Sequence, residues 1–189
     1  MYIGILALQG DFAKHQEMLA MLGQDTMLVR TRQELELCAG LIIPGGESTT
    51  LSLLLNKHTL RDAIIRFAGE KPVFGTCAGS ILLSRSVVKD PVESLGLIDA
   101  VIERNAYGRQ IDSFIDDIDV RLNGNVQKVE GFFIRAPKII SIGKGVVPLA
   151  WHQGNIVMAE QNNILIATFH PELTKNPAVH NYFLKKIKP

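Results

Sequence analysis

Short, continuous apolar runs alternate with helical patterns through the first half of the chain, and this alternation limits its possible folds more than any other feature. Residues 2–8 are almost entirely apolar; Gly10-Asp11 then leads into residues 12–22, where Phe12, Gln16, Leu19 and Leu22 mark a helix closed by Gly23. A second strand fits residues 26–29, a polar helical stretch runs to Cys38, and Leu41-Ile42-Ile43 reads as a third strand stopped by Pro44-Gly45-Gly46. Helical patterns follow at 49–55 and 60–68, an apolar run at 72–75, and a further helix at 78–83. Strands separated by helices cannot pair as hairpins. They predict a parallel sheet covered on both faces, with ligands at the carboxyl ends of its strands.

After Gly96 the pattern changes to β-like runs at 97–103, 114–122, 129–134, 139–142, 146–150, 156–160 and 164–169, with helix returning only at 177–187. Residues 104–113 form a polar loop among them. Neither a repeat nor a low-complexity linker interrupts the chain, so the second half reads as continued sheet plus a small antiparallel excursion. The expected fold class is α/β, in one domain spanning residues 1–189.

The length, with 47% hydrophobic and 21% charged residues, suits a chain that buries its own core and needs no disulfide or metal staple. Only Cys38 and Cys77 are present, which points to a reducing, cytoplasmic compartment rather than a secreted scaffold. The run at 2–8 lacks a positive leading region and is too short for a signal core or membrane span, so it reads as the first strand. A formal charge of +1 and a pI near 7.8 give no strong attraction to nucleic acid or anionic lipid. Lys185, Lys186 and Lys188 fit the last turn of a helix, where cations answer its dipole.

Gly75-Thr76-Cys77-Ala78-Gly79 sets a thiol on a tight strand-to-helix turn with glycine on both sides. The glycines allow positive φ and leave room for a carbonyl to approach the sulfur, while a helix start favours thiolate and offers N–H groups to an oxyanion. The arrangement parallels the serine elbow of the α/β hydrolases; a buried structural cysteine is the alternative. A thiol nucleophile needs a base that later protonates the leaving group. His15, His58 and His180 lie in helical patterns and read as surface or boundary residues, and His152 has no carboxylate near it in sequence. His170-Pro171-Glu172 instead follows the apolar run 164–169. This places the imidazole at a strand end, with Glu172 able to hold its tautomer. Pro44-Gly45-Gly46-Glu47-Ser48-Thr49 ends the third strand at the same edge; it lacks the lysine of a P-loop and the spacing of a dinucleotide fingerprint. No histidine and cysteine set has zinc-ligand spacing.

With these motifs, the chain resembles the triad (class I) glutamine amidotransferases, through Gly75 to Gly79 and His170 to Glu172. Leu8-Gln9-Gly10-Asp11, the 44–49 string, Arg104-Asn105-Ala106-Tyr107-Gly108-Arg109-Gln110 and Phe169-His170-Pro171-Glu172-Leu173-Thr174 are similar to the family of glutaminase subunits of pyridoxal 5'-phosphate synthase. The resemblance implies a flavodoxin-like three-layer domain, with Cys77 as nucleophile, His170 as base and Glu172 as orienter. It further implies a glutamine site at Gly46, Glu47, Ser48, Arg104, Ile134 and Arg135, and oxyanion donors at Gly46 and Ala78. Neither metal nor organic cofactor is implied; the partner is a synthase subunit of TIM-barrel type, on which pyridoxal phosphate is made from a pentose phosphate and a triose phosphate. Lys175-Asn176 departs from the acidic residue expected after the His-Pro-Glu-Leu-Thr string. The competing readings are a glutaminase serving another synthase, a silent interaction subunit, and a cysteine hydrolase or chaperone of the intracellular-protease type. The last of these usually carries histidine directly after the nucleophile, where this chain has Ala78.

Overall fold

The computed structural model describes residues 1–106 and 113–187, so residues 107–110 of the 104–110 string lie outside the described residues. Strands β1 (Tyr2–Leu6), β2 (Thr26–Val29), β3 (Cys38–Ile43), β4 (Val73–Thr76) and β12 (Ile164–Ala167) pair in parallel, in the order β2-β1-β3-β4-β12. Helices α1 (Phe12–Met21), α2 (Arg32–Glu36), α3 (Ser48–Lys57), α4 (Arg61–Ala68) and α5 (Ala78–Leu83) fill the crossovers. This is the doubly wound order of the flavodoxin type, in which the chain reverses direction across the sheet between β1 and β3 and opens a crevice at their carboxyl ends.

Two apolar layers follow from the two-residue period of the strands. Leu41, Ile43, Val73, Ile164 and Ile166 face a cluster with Leu51, Leu55, Ile64 and Phe67 of α3 and α4. The intervening Ile42, Phe74 and Leu165 face Leu19 of α1 and Val179 and Phe183 of α6 (Ala178–Leu184). A buried sheet of this kind calls for near-continuous apolar strands, which is the pattern the sequence shows.

Beyond β12 the same sheet continues with antiparallel β11 (Asn155–Gln161), β10 (Val147–His152), β7 (Ser113–Leu122) and β8 (Asn125–Ile134), giving nine strands. A second sheet of three strands, β5 (Ser84–Val88), β6 (Ile98–Glu103) and β9 (Lys138–Ile142), packs Ile98, Ala100, Ile102 and Ile139 into the α3/α4 layer. Three local expectations change. Cys38 opens β3 instead of closing a helix, because α2 ends at Glu36 and the chain must extend to pair with Tyr2. Residues 84–88 form a strand that their mixed polarity concealed. The hairpin strand β8 starts at Asn125, not 129, because pairing with β7 carries it through polar residues.

Candidate active site

The crevice at the carboxyl ends of β1, β3, β4 and β12 holds a pocket of about 380 Å³. Cys77, Ala78, Gly46, Glu47, Ser48, Arg104, Ile134, Arg135 and His170 all line it, so the structure brings together every residue expected there except Glu172, which lies behind His170. Cys77 joins β4 to α5 at φ 46° and ψ −106°, a conformation that costs a non-glycine residue roughly 1–3 kcal/mol. The surroundings hold it there. Its N–H donates to the Ala167 carbonyl at 2.8 Å, and its carbonyl accepts from Ser80 N–H at 3.1 Å and Ser80 Oγ at 2.6 Å. A Cβ on Gly79 would collide with the Ile43 carbonyl, so a glycine here lets α5 press against β3.

His170 follows β12, and its N–H donates to the Phe132 carbonyl at 2.8 Å. That contact draws the end of β8 over the site and carries Ile134 and Arg135 into the pocket; the Ile134 carbonyl lies 4.0 Å from Cys77 Sγ. Nδ1 of His170 donates to Oε1 of Glu172 at 2.7 Å. Burial alone would lower the His170 imidazole, but the neighbouring Cys77 sulfur and the Glu172 carboxylate prevail and raise it far above its ordinary 6.5. Burial alone would likewise raise the Glu172 carboxyl, and the His15 and His170 rings outweigh it to hold the group low. The arrangement keeps a proton on the imidazole between a carboxylate and the cysteine sulfur, and a neighbouring cation of this kind favours the thiolate that a cysteine nucleophile requires.

Glu47 and Arg104 are engaged with each other. The Glu47 carboxylate caps α3 by accepting from Thr49 N–H at 3.0 Å and Thr50 N–H at 2.7 Å; burial opposes, but these bonds hold its acid down to about 2. One Arg104 nitrogen sits 3.1 Å from the same carboxylate and another donates to the Asp90 carbonyl at 3.0 Å. Glu47 N–H donates to Gln9 Oε1 at 2.9 Å, tying the turn after β3 to the turn after β1.

The expectation that His15 and His180 are surface or boundary residues is overturned: both are fully buried, and their rings lie directly beneath the site. The signal was present in the periodicity. His15 shares a helix face with Leu19 and His180 with Phe183, the apolar faces of α1 and α6. His58 is exposed at the end of α3. His152 finds a distant carboxylate, with Nε2 2.9 Å from Asp116 Oδ2, but it stacks on Phe114 and lies away from the pocket lining. The described residues contain no cluster of three or more potential metal ligands, and none of their helices is long and apolar enough to cross a membrane.

A profile of the SNO glutamine amidotransferase family matches residues 5–189. The chain belongs to this family. Among its relatives is the pyridoxal 5'-phosphate synthase subunit PdxT of Thermosipho africanus, 48% identical over 189 residues, with all of both chains covered. The PdxT of Francisella tularensis subsp. holarctica is 48% identical over 96% of this chain and 97% of its own. A crystal structure of a glutamine amidotransferase superposes with a TM-score of 0.92 at 41% identity, covering 98% of each chain. PurLQS from Thermotoga maritima shares the fold, with a TM-score of 0.75 at 14% identity over 99% of this chain and 98% of that one. The family's fold, a large sheet with helices on both faces and a smaller sheet beside it, is the one built here.

Proposed function

We propose that the chain hydrolyses L-glutamine to L-glutamate and ammonia and delivers the ammonia to a pyridoxal 5'-phosphate synthase subunit of TIM-barrel type in the cytoplasm, acting as one domain. The observation that carries the reading is Cys77, held at φ 46° in the lining of the same pocket as His170, a histidine that Glu172 orients from 2.7 Å. In this mechanism the Cys77 thiolate attacks the side-chain carbonyl of glutamine. The resulting oxyanion takes hydrogen bonds from the N–H groups of Gly46 and Ala78, the latter being a first-turn donor without a helical acceptor. Protonated His170 gives its Nε2 proton to the departing nitrogen and leaves a thioester at Cys77. His170 then takes a proton from water, hydroxide adds to the thioester, and glutamate departs as the thiolate reforms.

Arg104 grips the substrate α-carboxylate with its planar fork, exchanging for it the Glu47 carboxylate that lies 3.1 Å away, while Ser48 and the backbone of Ile134 and Arg135 bind the amino-acid end. Docking takes place over the turns at residues 9–11 and 45–46, through which ammonia leaves. The test is a capture experiment with the full chain, followed by synthesis from amide-¹⁵N glutamine in excess unlabelled ammonium. Recovery of the synthase, faster glutamate release on docking and undiluted label in the product support the reading. Release unaffected by Cys77→Ser would overturn the hydrolysis, and a diluted label would overturn direct delivery.

A further inference from the structure

The proposed mechanism uses one oxygen of Glu172. The other, Oε2, is buried without a hydrogen bond among the described residues and lies 3.5 Å from Nε2 of His15. The same nitrogen is 3.2 Å from Thr76 Oγ1, and on the far side of the ring His15 Nδ1 is 2.9 Å from His180 Nε2. His180 Nδ1 is likewise buried without a hydrogen-bond partner among the described residues. Phe74 meets the His180 ring edge-on at 5.9 Å and supplies an apolar wall. Five side chains from β4, α1, α6 and the turn after β12 thus run from the pocket into one helix layer: His170, Glu172, His15 with Thr76 beside it, and His180.

The protons in this series can be assigned from bonding capacity. Burial lowers both His15 and His180, the latter to about 3, so each ring is neutral and carries one proton. If His15 donated from Nδ1, its bare Nε2 would face the carboxylate, and His180 would bury an N–H with nothing to receive it. If His180 donates from Nε2, the His15 proton sits on Nε2, shared between Thr76 Oγ1 and Glu172 Oε2, and only a bare acceptor is left at His180 Nδ1. The second arrangement avoids both the lone-pair repulsion and the stranded donor. The charged or titratable groups acting on His15 are Glu172, His170, His180 and Asp11, the last ahead of α1.

We propose that His15 is a positioning residue for the triad: its Nε2–H, set by the hydrogen bond from His180, faces the second oxygen of Glu172 from 3.5 Å and attracts it, so that the first stays aimed at His170 Nδ1. A carboxylate fixed at one oxygen can rotate about its last torsion, whereas one whose second oxygen also faces a donor favours the orientation that keeps the imidazole in its productive plane. The inference rests on the glutaminase reading for its rate effects but has a readout independent of it, namely alkylation of Cys77 by iodoacetamide in the full chain.

His15→Leu is expected to lower kcat for glutamine about tenfold with KM unchanged, the scale typical when a supporting partner of a site residue is removed. It should also move the acid limb of Cys77 alkylation upward by about one pH unit, because a less firmly held Glu172 stabilises the His170 imidazolium less. His15→Gln, whose amide can place an N–H near the lost Nε2–H, should recover most of both. In a Glu172→Gln background the further loss from His15→Leu should shrink to about twofold or less, since residues acting through one another are not additive. Equal losses from His15→Leu in both backgrounds would overturn the proposal, as would a wild-type alkylation limb in folded His15→Leu. Should that variant not fold, His180→Leu carries the same test, and an unmoved limb in it has the same meaning. Glutaminase activity surviving in Cys77→Ser would refute the hydrolysis reading alone, because the alkylation profiles use neither glutamine nor synthase.

Discussion

The two cysteines show how position decides chemistry. Cys38 donates its thiol proton to the Glu34 carbonyl at 3.2 Å, and burial pushes that thiol up to about 11, which leaves it inert. Cys77 faces the pocket that the His170 imidazole also lines. Cys77→Ser should therefore lower glutamate release by at least about 10³-fold, while Cys38→Ser should retain most of it in a folded chain, measured by glutamate formation in the presence of the synthase. Comparable losses in both would contradict the assignment of the nucleophile. At this scale the sequence was informative wherever function depends on neighbours in the chain: the Gly-x-Cys-x-Gly turn and the His-Pro-Glu string each carry their geometry locally. It misplaced His15 and His180 as surface or boundary residues: periodicity marks their burial, but their role depends on α1 and α6 meeting over Thr76 and Glu172 from opposite ends of the chain. Nor could it show that Glu47 and Arg104 hold one another, since that contact spans 57 positions.

Among the elements, the turns after β3 and β4 have different tolerances, although both depend on glycine. A Cβ on Gly45 would lie 2.5 Å from Cε1 of His170, a side chain that can shift, whereas one on Gly79 would strike the backbone carbonyl of Ile43, which cannot move without β3. Gly45→Ala should consequently cost activity more than stability by displacing the imidazole. Gly79→Ala should lower the stability of the whole chain by about 1–3 kcal/mol, the usual range for overpacking, as read from urea unfolding. Equal urea midpoints for the two variants would count against this distinction. The parallel strands were legible because burial on both faces leaves apolar runs that end abruptly at breakers. Two strands of the small sheet were legible in the same way, at 97–103 and 139–142, but the third was not: β5 opens on the polar run Ser84-Arg85-Ser86 before Val87 and Val88, and the pairing of β9 with β6 is set by packing against α3 and α4.

For the molecule as a whole, the buried rings predict a narrow optimum of stability with pH. His15 and His180 titrate below their ordinary 6.5 in the folded chain, so under mild acid the unfolded chain binds protons that the folded chain refuses, and stability falls as pH drops below about 6.5. Glu172, held below its ordinary 4.5, adds a further loss in stronger acid. His170 has the opposite sign: raised above 6.5, it contributes fully below that pH and loses its contribution as the solution becomes alkaline. Urea midpoints across pH 4 to 9 should therefore peak near 6.5, and His180→Leu should flatten the mild-acid side even if it lowers the whole curve; an unchanged slope in that variant would contradict the assignment. The same series of rings also sets the direction of proton traffic. It enters the protein at the pocket and ends, among the described residues, at His180 Nδ1 beside Phe74 and the helix layer. Cys77 and His170 both line the pocket, so the protons of turnover are exchanged where ammonia is assigned its exit, and a synthase that covers this mouth also encloses the proton exchange of the reaction.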